Sequence, residues 1–142
     1  MKTDFVDAQQ RHWQDAELLF NQQRWANADH LYGFSAECGL KELIKKTGIK
    51  WNAGSDQPEN KNEKHRFFKH INGLWAEYNS FIDGKLATQY VIPSENPFSN
   101  WDASDRYANE NEFTQERVQQ HQKAAKSIQK LVKDYQLSQE KP

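Results

Sequence analysis

The chain has 142 residues, 19 Lys+Arg against 20 Asp+Glu, a single cysteine and 18 aromatic side chains. That length supports one domain, residues 1–142, able to bury roughly 68–70% of the surface its unfolded chain exposes. No stretch approaches about 18 apolar residues, which excludes a membrane span; the lone Cys38 excludes an intrachain disulfide framework and a Cys-based zinc ribbon.

Leu, Ile, Val and Phe together number only 27, a low count, but balanced charge and abundant aromatics speak for a folded, aromatic-cored domain with a very polar surface. The near-zero net charge argues against a generic DNA coater and leaves room for a local RNA-binding face. The opening MKTDFVDAQQ carries no apolar signal region, so the expected location is cytoplasmic.

Between Phe5 and Asn21, the residues Phe5, Ala8, His12/Trp13, Ala16 and Leu19/Phe20 recur at spacings of three and four, which predicts an amphipathic helix with Asp4 as its N-cap. NQQRW interrupts the pattern. From Trp25 to about Lys46 the apolar positions leave only a narrow polar strip, so this second helix is expected at the centre of the fold. Gly33 and Gly39 each cost about 1 kcal/mol of helix propensity, and close packing must justify them. Gly48 is the candidate C-cap, following Lys45 and Lys46.

Residues 50–64 read as loop by composition. A third helix is predicted through Phe67/Phe68, Ile71, Leu74/Trp75, Tyr78 and Phe81/Ile82, stopped by Asp83-Gly84. Residues 84–112 are irregular, with Pro93 and Pro97 barring a long helix and LATQYVI allowing one short extended piece. The last helix runs from about Thr114 to Tyr135, capped by Thr114 or Asn111, with a tail from about 137 expected to fray. The expected fold is all-α, an up-and-down four-helix bundle with long loops after the second and third helices.

Several polar groups invite chemistry. KNEKHRFFKH sets Lys61, Lys64, His65, Arg66, Lys69 and His70 around Phe67 and Phe68, either a phosphate-binding patch with stacking aromatics or a solvated face over core anchors. Arg66/His70 and Arg117/His121 are i,i+4 pairs, and His121 falls on the apolar stripe, as a packing histidine would. Arg24 and His30, with five residues between them at the entry of the second helix, are either an Arg–His couple or a turn arginine and a helix histidine unrelated to catalysis. Glu37 and Lys41 form a further pair on the central helix; a buried Glu37 requires a cation, Lys41 or Arg106. Trp101 with Asp102, Asp105, Arg106 and Tyr107 forms a pinned lid or one wall of a cleft. No Cys/His/carboxylate spacing suggests a metal, and no phosphate-cradling glycine loop is present, so no cofactor is expected.

The stretch RHWQDAELLFNQQRWANADHLYGFSAECGLKELI resembles the first two helices of HEPN-domain proteins through Asp15-Ala16, Leu18-Leu19, Arg24-Trp25-Ala26 and Ala36-Glu37-Cys38-Gly39-Leu40-Lys41. His70, Leu74-Trp75, Trp101 and Arg106-Tyr107 are similar to the same group. The resemblance implies a homodimeric helical domain. Many members are metal-independent endoribonucleases in toxin–antitoxin or defence systems, some working beside a nucleotidyltransferase-type partner. Their signature is an Arg, four to six residues, then a His, which pairs transition-state stabilisation with proton transfer. Arg106 occupies the arginine position, but Asn111, Glu112 and Phe113 stand in the histidine slots.

The resemblance therefore implies a catalytically silent module that binds RNA, a nucleotide or a protein partner, with Arg106, Tyr107, Lys64, Arg66, Lys69 and Trp101 as candidate ligand residues. The alternatives are an endoribonuclease using Arg106 and His70, and a helical scaffold unrelated to nucleic acid.

Overall fold

The computed structural model describes residues 1–84 and 89–140. Among the described residues the chain is all-helical, with five α-helices: α1 Phe5–Asn21, α2 Trp25–Thr47, α3 Lys61–Phe67, α4 Ile71–Asp83 and α5 Gln115–Glu140. Two short 3-10 segments, Ala103–Tyr107 and Glu110–Glu112, precede α5. Among the described residues there is no strand, only an isolated bridge between Trp51 and Pro58.

Local chemistry sets the helix ends. Asp4 caps α1, its side chain accepting the Asp7 N–H at 3.0 Å. Gln23 then turns the chain in the left-handed region (φ 58°), and the Arg24 N–H returns to the Leu19 carbonyl at 2.8 Å. Gly48 closes α2. The Thr114 hydroxyl accepts the Arg117 N–H at 3.2 Å at the start of α5.

Helix α2 is the hub, in contact with α1, α4, α5 and both 3-10 segments. Its buried Tyr32, Ala36, Leu40, Leu43 and Ile44 meet Val118, Ala125, Ile128 and Val132 from α5 and Ile71, Leu74 and Trp75 from α4. Each fully buried side chain of this size stabilises the fold by about 1.5–3 kcal/mol before entropy is counted. The two mid-helix glycines are explained by contact. A Cβ at Gly33 would overlap the Trp101 indole, and one at Gly39 would lie 2.5 Å from Ile128 Cγ2.

The third predicted helix is two. Asn60 caps α3 through the Asn62 and Glu63 N–H groups, and the chain breaks at Phe68 and Lys69 before His70 opens α4 in extended conformation. An unbroken helix would hold Asn72-Gly73 in its interior, an unfavourable place for both; the break moves them to the first turn of α4. Arg66 and His70 therefore do not share one helix face as expected. The end also differs: α5 continues to Glu140, because Tyr135 packs on Tyr90 at 5.7 Å and Ser138 Oγ lies 3.4 Å from Tyr90 Oη. Residues 86–88 of LATQYVI lie outside the described residues, and 89–92 are turn and irregular chain.

Candidate ligand-binding face

The loop before α5 is built outward from Trp101. Its ring fills the Gly33 notch, donates Nε1–H to the Asp29 carbonyl at 3.3 Å, and stacks on His30 with 5.3 Å between centroids. Asp29 itself is 1% exposed, and a carboxylate so buried must be paired. His121 Nδ1 lies 2.5 Å from Asp29 Oδ1, and Arg117 Nε donates to Oδ2 at 3.4 Å. Arg117 Nη2 also donates to the Asn100 carbonyl at 2.6 Å and to Asp105 Oδ2 at 3.1 Å. His121 Nε2 reaches Asn100 Oδ1 at 2.8 Å, and the ring stacks on Phe98 at 5.0 Å. This clasp ties α2, α5 and the loop together. Arg117 and His121 are thereby structural, and a fully buried His121 reaches no solvent-borne substrate.

Asp102 and Asp105 reciprocally cap the first 3-10 segment, Asp102 Oδ1 accepting the Ser104 N–H and Asp105 Oδ2 the Asp102 N–H. Hydrogen bonding from Ser104 holds the Asp102 carboxyl below its ordinary range. The segment carries Arg106 and Tyr107 into solvent. The Arg106 guanidinium lies 4.7 Å over the Tyr107 ring, donates to the Ala103 carbonyl at 3.2 Å, and leaves Tyr107 77% exposed.

On the other side of Trp101 lies a second polar group. Glu37 Oε2 accepts from Lys41 Nζ at 3.1 Å and Oε1 lies 3.0 Å from His70 Nδ1. The expected Glu37–Lys41 pair forms; Arg106 is not its partner, His70 is. The hydrogen bond to Glu37 raises the His70 pKa above the ordinary value against the opposing effect of burial, while the His70 side chain stays 53% exposed. Burial, then the Arg106 charge, lowers the pKa of His30. Lys41 Nζ and Lys64 Nζ lie 5.6 and 6.0 Å from the ring centre of Phe68, itself an exposed aromatic.

The remaining candidates separate. Arg66 donates to Glu77 Oε2 at 2.8 Å and covers the buried Phe67 ring at 4.8 Å, while Lys69 lies 3.6 Å from Glu77 Oε1. The two cations share the single Glu77 carboxylate. Arg24 is the N-cap residue of α2, whereas His30 stacks on Trp101, so that pair has no common site. Trp101 is buried and serves as the pin, touching His70 at 6.2 Å between centroids. Asp29 and Asn100 have a part in the site that sequence reasoning did not assign, with the spacing of Arg117 and His121 their only local sign; Asp105, read as part of the lid or cleft wall, is also the Arg117 partner. Among the described residues, no three His, Cys, Asp or Glu side chains are grouped as metal ligands.

The fold and site thus define an all-helical protein with a clasped loop that presents the Arg106–Tyr107 couple beside a carboxylate-held histidine. Comparison with protein-family models, curated proteins and solved structures finds no match to this chain.

Proposed function

We propose that this chain is an HEPN-like, bundle-type helical module that binds single-stranded RNA across the face running from Tyr107 and Arg106, past His70, to Phe68 and Lys64, and does not cleave it. The observation that carries this reading is the pair of exposed aromatic rings, each with a cation over it, on one side of α2. Such rings stack bases without sequence preference, at about 1–3 kcal/mol per base, while neighbouring cations neutralise phosphate. The absence of cleavage follows from Arg106. The positions of the expected histidine hold Asn111, Glu112 and a buried Phe113, and none of these transfers a proton at neutral pH as an imidazole does. The resemblance extends the reading to a homodimer across loop 101–107 and the start of α5.

One observation favours a second reading, a metal-independent endoribonuclease. His70 is solvent-accessible, held by Glu37 and raised in pKa, which suits a general acid. A gel assay separates the two. End-labelled single-stranded RNA is incubated in EDTA with the wild type, Arg106→Ala and His70→Ala. A shifted, intact band that is lost in Arg106→Ala supports the silent module. Cleavage that survives EDTA and disappears in His70→Ala supports the nuclease. No shift and no cleavage refutes both and leaves the scaffold.

A further inference from the structure

Away from that face, the second half of α5 carries Lys123, Lys126, Lys130 and Lys133, all exposed. At helical geometry these four lie within about 80° of arc and span roughly 15 Å. Among the described residues none of them forms an ion pair. They border a shallow depression of about 450 Å³ along α5. Beside it runs a groove of about 710 Å³ between α5 and the chain that crosses from α4.

The wall opposite α5 is held firmly. The Pro93 carbonyl accepts Trp75 Nε1–H at 2.8 Å and Asn79 Nδ2–H at 3.1 Å, and the Tyr90 carbonyl accepts the Tyr78 hydroxyl at 2.6 Å. Val91, Pro93, Pro97, Ala124 and Leu131 make the lining largely apolar, with Val91 55% exposed and Glu95 at the rim.

We propose that this groove is a docking site for an acidic amphipathic helix of a protein partner. Its apolar side would lie between Val91 and Leu131, and its carboxylates would meet the lysine ridge. The charge pattern selects this occupant: an apolar channel edged by the unpaired Lys123 and Lys130, with Lys126 and Lys133 farther round α5, complements a helix with one apolar face and an acidic flank. RNA fits the groove poorly, since its walls expose aliphatic carbons and prolines and its one aromatic, Trp75, is buried and tied to Pro93. A second copy paired symmetrically through α5 would set lysine ridge against lysine ridge. The site is separate from the proposed RNA face and does not rest on that reading.

The test is fluorescence anisotropy with a labelled peptide of roughly 18 residues, Leu at i, i+3, i+4 and i+7 positions and Glu elsewhere, beside a scrambled peptide of identical composition. The patterned peptide binds the wild type, and the scrambled one binds at least about tenfold more weakly. Lys123→Glu with Lys130→Glu, the two lysines that line the groove, weakens the patterned peptide at least about tenfold. Val91→Asp, on a different element, weakens it several-fold. Single-stranded RNA binding is unchanged in both variants, whose sites are exposed and whose folding is checked by circular dichroism. Equal binding of both peptides, peptide binding that survives charge reversal, no peptide binding at all, or loss of RNA binding in the ridge variants overturns the proposal. Loss of RNA binding in Arg106→Ala bears only on the other face.

Discussion

Replacing Asp29 by Ala removes the acceptor that His121 and Arg117 share, at 2.5 and 3.4 Å. The carboxylate is 1% exposed and the His121 side chain fully buried, so water cannot take over the lost bonds. Leaving one partner of a buried pair uncompensated costs about 3–5 kcal/mol, a large fraction of the roughly 5–15 kcal/mol that holds a domain folded. For a chain of this length that amounts to a fall in Tm of roughly 10–20 °C. Thermal and urea unfolding by circular dichroism measure the loss. Tryptophan fluorescence follows Trp101, whose Nε1–H is bound to the backbone carbonyl of the same Asp29. Asp29→Asn keeps the shape and one acceptor and loses less. A loss under about 1 kcal/mol for Asp29→Ala, with unchanged emission, would refute the claim that the clasp holds the loop to α2 and α5.

Four further outcomes follow from local geometry. Gly39→Ala gains about 1 kcal/mol of helix propensity yet drives a methyl against Ile128, an overpacking that costs about 1–3 kcal/mol, so urea unfolding registers net destabilisation. Gln23→Gly relieves a left-handed residue at φ 58° and raises the urea midpoint by an amount equivalent to about 0.5–2 kcal/mol. His70 has a raised folded pKa because of Glu37. Its stabilising contribution is complete below the unfolded value and is lost as pH rises through the folded one. An NMR titration of the His70 ring therefore has a midpoint above the ordinary histidine value, which Glu37→Gln lowers. Burial pushes the Cys38 thiol up to about 12, so iodoacetamide at neutral pH labels it far more slowly in the native protein than in urea.

Helices α1, α2 and α5 are legible because each carries one apolar stripe at helical period, and the Asp4, Gly48 and Thr114 caps announce their ends. The break between α3 and α4 is not, because Phe67, Ile71 and Leu74 keep a 3.6 period straight through it; periodicity records which residues are buried, not whether the axis turns. Asn72-Gly73 is the local sign that a single helix was the wrong reading. The same division runs through the site. Glu37–Lys41 and Arg117/His121 are i,i+4 neighbours and visible in one dimension. Asp29, 88 residues from Arg117, reads as an ordinary helix carboxylate until the fold closes around it. His70 joins Glu37 only because the break turns α4 to place its N-cap residue against α2.

The balance of 19 cations against 20 carboxylates conceals a division of labour among the basic residues. Arg117 is spent on Asp29 and Asp105, Lys41 on Glu37, and Arg66 and Lys69 on Glu77. Arg106 and Lys64, with no carboxylate within ion-pairing distance among the described residues, remain beside exposed aromatic rings. Lys123 and Lys130 of α5 remain beside aliphatic walls. Free charge on both faces makes attraction to an anion common to them, so it cannot distinguish their ligands; the neighbouring carbon does. A planar ring favours a stacked base, and an aliphatic channel favours the apolar side of a helix. Added salt screens the electrostatic part on both faces. Stacking and apolar burial survive it, so residual binding at high salt depends on Tyr107 and Phe68 for RNA and on Val91 and Leu131 for the acidic helix.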